Sequence, residues 1–186
     1  MVATPPRDVQ TVPIAADTWV LRSRSWQRLR FEMEYALERG TTANSYLIYG
    51  DQITLIDPPG ETFTELFLTE LQRHVALDQI TYVILGHINP NRVATLARLW
   101  QLAPQIVFVC SNPGDQTLRS LLAQRLPELT AQRPPQTLVI RGEETLDIGR
   151  GHVLELIPIP TPRFPNGLAT FDPSTGLLFC GKFFSA

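Results

Sequence analysis

The amino-acid sequence predicts an α/β fold of four layers (αββα), two sheets packed face to face with helices on their outer sides. Three observations predict it. Short β-like runs gather at both ends of the chain, and the stretch between them alternates buried strand with amphipathic helix. Each helix carries one apolar face, so it can cover a sheet but cannot sit between two. A doubly wound parallel sheet is the rival, but consecutive short strands at both ends favour mostly antiparallel pairing.

Each element has its own reason. Pro5, Pro6 and Pro13 fix φ and remove donors, so residues 1–13 read as a flexible, extended lead-in, with order expected from about Ile14. Thr18 to Leu21, Leu29 to Glu34, Ser45 to Tyr49 and Ile53 to Ile56 then form an antiparallel meander, with Gly50-Asp51 as its last turn. From Phe63 to His74 the apolar period becomes helical. Ile80 to Leu85 and Ile106 to Cys110 are buried strands, each followed by a helical pattern, Val93 to Leu102 and Gln116 to Leu126. Beyond Arg133-Pro134-Pro135, short strands return at Thr137 to Ile140, Glu144 to Leu146, Val153 to Ile157, Leu168 to Phe171 and Leu177 to Cys180.

Composition excludes several function classes. A chain of 186 residues fits one domain. With 16 Lys and Arg against 18 Asp and Glu, the net charge of -2 gives no basic footprint, so no nucleic-acid partner is expected. No apolar run reaches membrane-spanning length, and the first ten residues lack a signal-peptide pattern, so neither membrane association nor export is expected. Cys110 and Cys180 are far apart and form no C-x-x-C pair, which suits a reducing cytoplasm and small buried hydrophobes. Trp19, Trp26 and Trp100 read as core or interface aromatics.

Reactive groups in α/β proteins collect on loops beyond the carboxyl ends of strands. Three loops qualify: GHINPNR (Gly86 to Arg92), TPRFPNG (Thr161 to Gly167) and GKFFSA (Gly181 to Ala186). Alone, His87 is a satisfied loop histidine, and Arg92, Arg163 and Lys182 are solvated cations on separate loops. Asp57, at a strand end before two prolines, reads as a turn-former hydrogen-bonding nearby backbone. His74 and His152 have turn and surface roles as their ordinary expectation.

The strings GTTANSYLI (Gly40 to Ile48), LIDPPGE (Leu55 to Glu61), VILGHINPNR (Val83 to Arg92) and LLFCGKFF (Leu177 to Phe184) resemble the metallo-β-lactamase-like domain of flavodiiron proteins, above all the diflavin flavoproteins of cyanobacteria. The resemblance runs from about Asp8 onward. It implies a metallo-β-lactamase-like domain over residues 14–186, incomplete at its C-terminus, with the family's flavodoxin-like and flavin reductase domains absent. It also implies a setting of NAD(P)H-linked oxygen reduction, with two iron atoms and FMN as the family's cofactors. Family proteins pair head to tail, which implies a homo- or hetero-oligomer with a flavodiiron sibling.

This chain departs from the family at the ligands. The family's first loop has the pattern H-x-E-x-D-H; here His87 is kept, while Asn89, Asn91 and Arg92 stand at the other ligand positions. Arg163 replaces a second-loop His, Lys182 replaces a bridging Asp, and a further family His lies beyond residue 186. Amides are weak iron ligands and protonated Arg and Lys donate no lone pair. Repulsion between such cations and a nearby metal is several kcal/mol at an effective dielectric of about 20. The chain is therefore expected to hold no metal or cofactor and to be catalytically incompetent alone. Arg92, Arg163 and Lys182 instead suggest a pocket for a small anion beside the helix that follows. Two other classes stay open, a module binding an anionic metabolite and a metallo-hydrolase or oxidoreductase with unusual ligands.

Overall fold

The computed structural model describes residues 7–26 and 41–181. Two sheets form its frame. The larger has seven strands in sequence order: β1 (Arg7–Ala15), β2 (Thr18–Ser25), β3 (Thr41–Ile48), β4 (Ile53–Ile56), β5 (Ile80–Ile84), β6 (Val107–Ser111) and β7 (Gln136–Ile140). The smaller has the order β11 (Leu177–Phe179), β10 (Leu168–Asp172), β9 (Val153–Pro158) and β8 (Glu144–Asp147).

Short connections join β1 to β2, β3 to β4, β8 to β9 and β10 to β11 as antiparallel neighbours, and β2 with β3 and β9 with β10 also pair antiparallel. From β4 to β7 the strands pair in parallel, because a helical crossover separates each from the next. Those crossovers hold α1 (Thr64–Leu71), α2 (Pro90–Leu102), and α3 (Asn112–Arg125) with α4 (Pro127–Gln132).

Alternation along the strands builds two cores. Leu47, Leu55, Val83 and Phe108 face the helices and pack with Phe67, Leu71, Leu96, Trp100 and Leu118. Their neighbours Ile48, Ile56, Ile84 and Val109 face the small sheet, meeting Leu154, Leu156, Leu168 and Phe179. The fold is thus an α/β sandwich of the expected kind, and among the described residues its helices all cover the seven-stranded sheet.

Several expectations need correction. β1 begins at Arg7 and pairs with β2 along its length, so residues 7–13 are not a loose lead-in. Pro13 is tolerated because, among the described residues, β1 is an edge strand, where a missing N–H costs no ladder bond. His152 is buried rather than on the surface, and Cys180 is only half-buried. Trp100 is fully buried, whereas Trp26 is exposed. The strand expected over Leu29 to Glu34 lies outside the described residues.

Candidate functional site

Parallel pairing sets the carboxyl ends of β4 and β5 side by side, and the chain places polar residues just beyond both. After β4, Asp57 takes a left-handed turn, φ 52°, and donates its N–H to the Ile84 carbonyl at the end of β5 (3.0 Å). Its carboxylate then points under the β5–α2 loop. Oδ1 accepts from the Gly86 N–H (2.9 Å) and from Arg92 Nη1 (2.6 Å). The side chains are 4% and 11% exposed, so this is a buried ion pair. Gly86 is required here, since a Cβ on it would stand 2.6 Å from Asp57 Oδ2.

Asn89 is the N-cap of α2. Its Oδ1 accepts from the Arg92 N–H (3.0 Å), with Pro90 at the first helical position, where a missing donor costs nothing. Its Nδ2 lies 3.3 Å from His87 Nε2. Asn91 turns the other way and fills the space over Gly60, where a Cβ would lie 2.2 Å from its Nδ2.

The loop between β9 and β10 closes over His87, which is 1% exposed. The Phe164 ring meets the imidazole edge-on, with centroids 5.5 Å apart, and the Arg163 guanidinium lies over that ring at 5.6 Å. Asn166 fastens this loop to the first by donating Nδ2 to the Ile88 carbonyl (2.9 Å) and accepting the Ile88 N–H on Oδ1 (3.4 Å). Ser111 Oγ, at the end of β6, donates to the Asn166 carbonyl (3.0 Å). Between the loops, Gly86, His87, Ile159, Thr161, Phe164, Gly167 and Cys180 line a cavity of ≈ 20 Å³, room for about one water.

The structure therefore gathers His87, Asn89 and Arg92 on the β5–α2 loop, with Arg92 paired to Asp57, and brings Arg163 to the same end of the sandwich through Phe164. Lys182 lies outside the described residues. Two sequence expectations change. Asp57 does turn the chain, but its carboxylate bonds a loop and a helix about thirty residues away instead of the local backbone. Arg92, expected as a solvated or anion-binding cation, is paired with that carboxylate. Asn166 was missed; the PNG turn signal placed it on a loop, but its partner 78 residues away left no local trace. Among the described residues, no group of three or more His, Cys, Asp or Glu is placed to hold a metal ion.

A helix-covered sandwich with its polar loops at the carboxyl ends of β4, β5, β6 and β9 has the architecture of metallo-β-lactamase-like domains. The chain belongs to the ODP beta-lactamase family, whose model matches residues 41–186. It is 58% identical, over all 186 residues, to a Nostoc sp. protein carrying the name diflavin flavoprotein A 6, and 53% identical over 182 residues to a diflavin flavoprotein A 3 of Synechocystis sp.. The chain spans 31% and 30% of the length of these two relatives. Among solved structures, it is similar to fragment 1-254 of a Nostoc sp. diflavin flavoprotein A 5, with a TM-score of 0.89 and 53% identity, covering 97% of this chain and 69% of that one. The metal-soaked Flv1 flavodiiron core of Synechocystis sp. superposes with a TM-score of 0.90 at 52% identity, over 98% of this chain and 44% of that one. A flavoprotein of Thermotoga maritima, 22% identical with a TM-score of 0.77 over 94% of this chain and 41% of that one, shares the fold.

Proposed function

We propose that this chain is the metallo-β-lactamase-like part of a flavodiiron-type NAD(P)H:oxygen oxidoreductase in which an internal ion pair stands in for the diiron centre. The single observation that carries the reading is the 2.6 Å contact between Arg92 and the buried Asp57. Arg92 occupies a family ligand position, and its guanidinium has no lone pair to give a metal. Asn89 uses its oxygen on the α2 N-terminus, Asn91 packs against Gly60, and Asp57 is already neutralised. That leaves His87 as the one imidazole among the matched positions, and the residues present do not fit a pair of iron atoms.

In this reading the chain is cytoplasmic and does not reduce oxygen itself. It contributes to an oxygen-reducing electron sink by pairing with a metal-bearing flavodiiron sibling, as a structural or regulatory subunit. The alternative of an anionic-metabolite pocket is weaker than the sequence suggested. Arg92 has its charge matched, and the cavity beside His87 has room for about one water and no Arg or Lys in its lining.

Ligand restoration tests the proposal. Asn89→Glu, Asn91→Asp, Arg92→His, Arg163→His and Lys182→Asp are combined in a longer chain that carries the family's further His. We expect this variant to take up iron in anaerobic reconstitution, while the 186-residue chain with the same changes takes up less. Failure of the folded longer variant to bind iron would mean that the loops do not converge as proposed.

A further inference from the structure

At the end of the sandwich away from His87, four turns meet. The Tyr49 N–H donates to the Asp17 carbonyl (2.8 Å), joining the β3–β4 turn to the β1–β2 turn. The Gln52 N–H donates to the Ile148 carbonyl (2.9 Å), joining the β3–β4 turn of the large sheet to the β8–β9 turn of the small one. Arg150 reaches across with its guanidinium 3.6 Å from Asp51 and 3.9 Å from Asp17, all at the surface.

Beneath them lies a polar cluster that the site at the other end does not use. Asp172, at the end of β10, is fully buried, and His152, just before β9, is 3% exposed. His152 Nδ1 sits 2.8 Å from Asp172 Oδ2, which also accepts from Thr175 Oγ1 (2.8 Å). Oδ1 accepts from the Ser174 N–H (3.1 Å) and Ser174 Oγ (2.6 Å). An ionised carboxylate only accepts, so the histidine carries its proton on Nδ1. Ser174 Oγ lies 3.1 Å from the same Nδ1, so this is no nucleophile–base–orienter relay, in which the two partners would use opposite ring nitrogens.

We infer that Asp172 and His152 form a proton-operated clasp: ionised, the carboxylate ties the β8–β9 turn to the β10–β11 turn, and protonated, it releases both while the seven-stranded sheet stays folded. Burial alone would push the Asp172 carboxyl up, but hydrogen bonds from Ser174, His152 and Thr175 outweigh it and hold the group below its ordinary value. The clasp is therefore fully made above the ordinary carboxylate range and is lost as pH falls through the lower folded value. The other charged groups on the elements packed around it are Glu144 and Asp147 on β8, Glu155 on β9, Arg150 beside the histidine, and Asp51 and Asp17 on the facing turns; all are exposed.

Amide hydrogen exchange of the 186-residue chain, corrected for intrinsic rates between pH 7 and about pH 3, tests this. Protection over residues 147–153 and 172–176 should fall together by about tenfold or more on acidification, with the β5 and β6 amides unchanged. Asp172→Asn should loosen both turns at neutral pH and abolish the acid step. If that variant does not fold, His152→Gln should loosen the same two turns at neutral pH. Independent loosening of the turns, simultaneous loss of β5 and β6, or an acid step that persists in Asp172→Asn would overturn the inference.

Discussion

Arg92 and Asp57 carry the account at the residue scale. Removing one partner of a buried ion pair leaves a charge with nothing to offset it, which costs about 3–5 kcal/mol. Arg92→Met should therefore lower the free energy of chemical unfolding by that amount. Adding Asp57→Asn should restore at least about half of the loss, because the amide still accepts from Gly86, tolerates the left-handed backbone and carries no charge. A double variant no more stable than Arg92→Met would show that the pair is not what the pocket depends on. Arg92 was singled out in the string GHINPNR, but its partner was not. Asp57 lies 35 residues away, and only the parallel register of β4 and β5 brings the two together. Cys110 was legible throughout: full burial pushes its thiol up to about 12, leaving it inert.

At the scale of elements, the β5–α2 loop is held by its helix cap and by one glycine. Asn89→Ala should cost about 1 kcal/mol, and Asn89→Asp should be nearly neutral, since the carboxylate also accepts from the Arg92 N–H. Gly86→Ala should cost more than the cap, because its Cβ would displace an Asp57 carboxylate held by two donors. Thermal unfolding of the three variants checks the order. Most elements could be read from the sequence, since β-branched runs and helical spacing agree with the crossovers that separate them. β1 was missed because three prolines mask an edge strand whose outward N–H groups need no partner. α4 was missed because six residues behind Pro127 are too few to show a period. Asn89 was read only as a lost ligand, although Asn before Pro is also a helix-start signal.

On the scale of the whole molecule, the sandwich has two cores and a polar loop end, where Arg92 is paired with Asp57. The family was legible in long strings because they encode strand ends and tight turns, which the fold needs whether or not a metal is bound. The buried His152 and Asp172 were not legible, since nothing near Gly151 or Pro173 signals that two turns of the small sheet close on each other. Iron uptake by the native chain is the most direct measurement. Anaerobic incubation of the native 186-residue chain with excess ferrous iron, followed by desalting and elemental analysis, should leave only substoichiometric metal, with the Arg92 to Asp57 pair intact. Retention of one or two iron atoms per chain would contradict it.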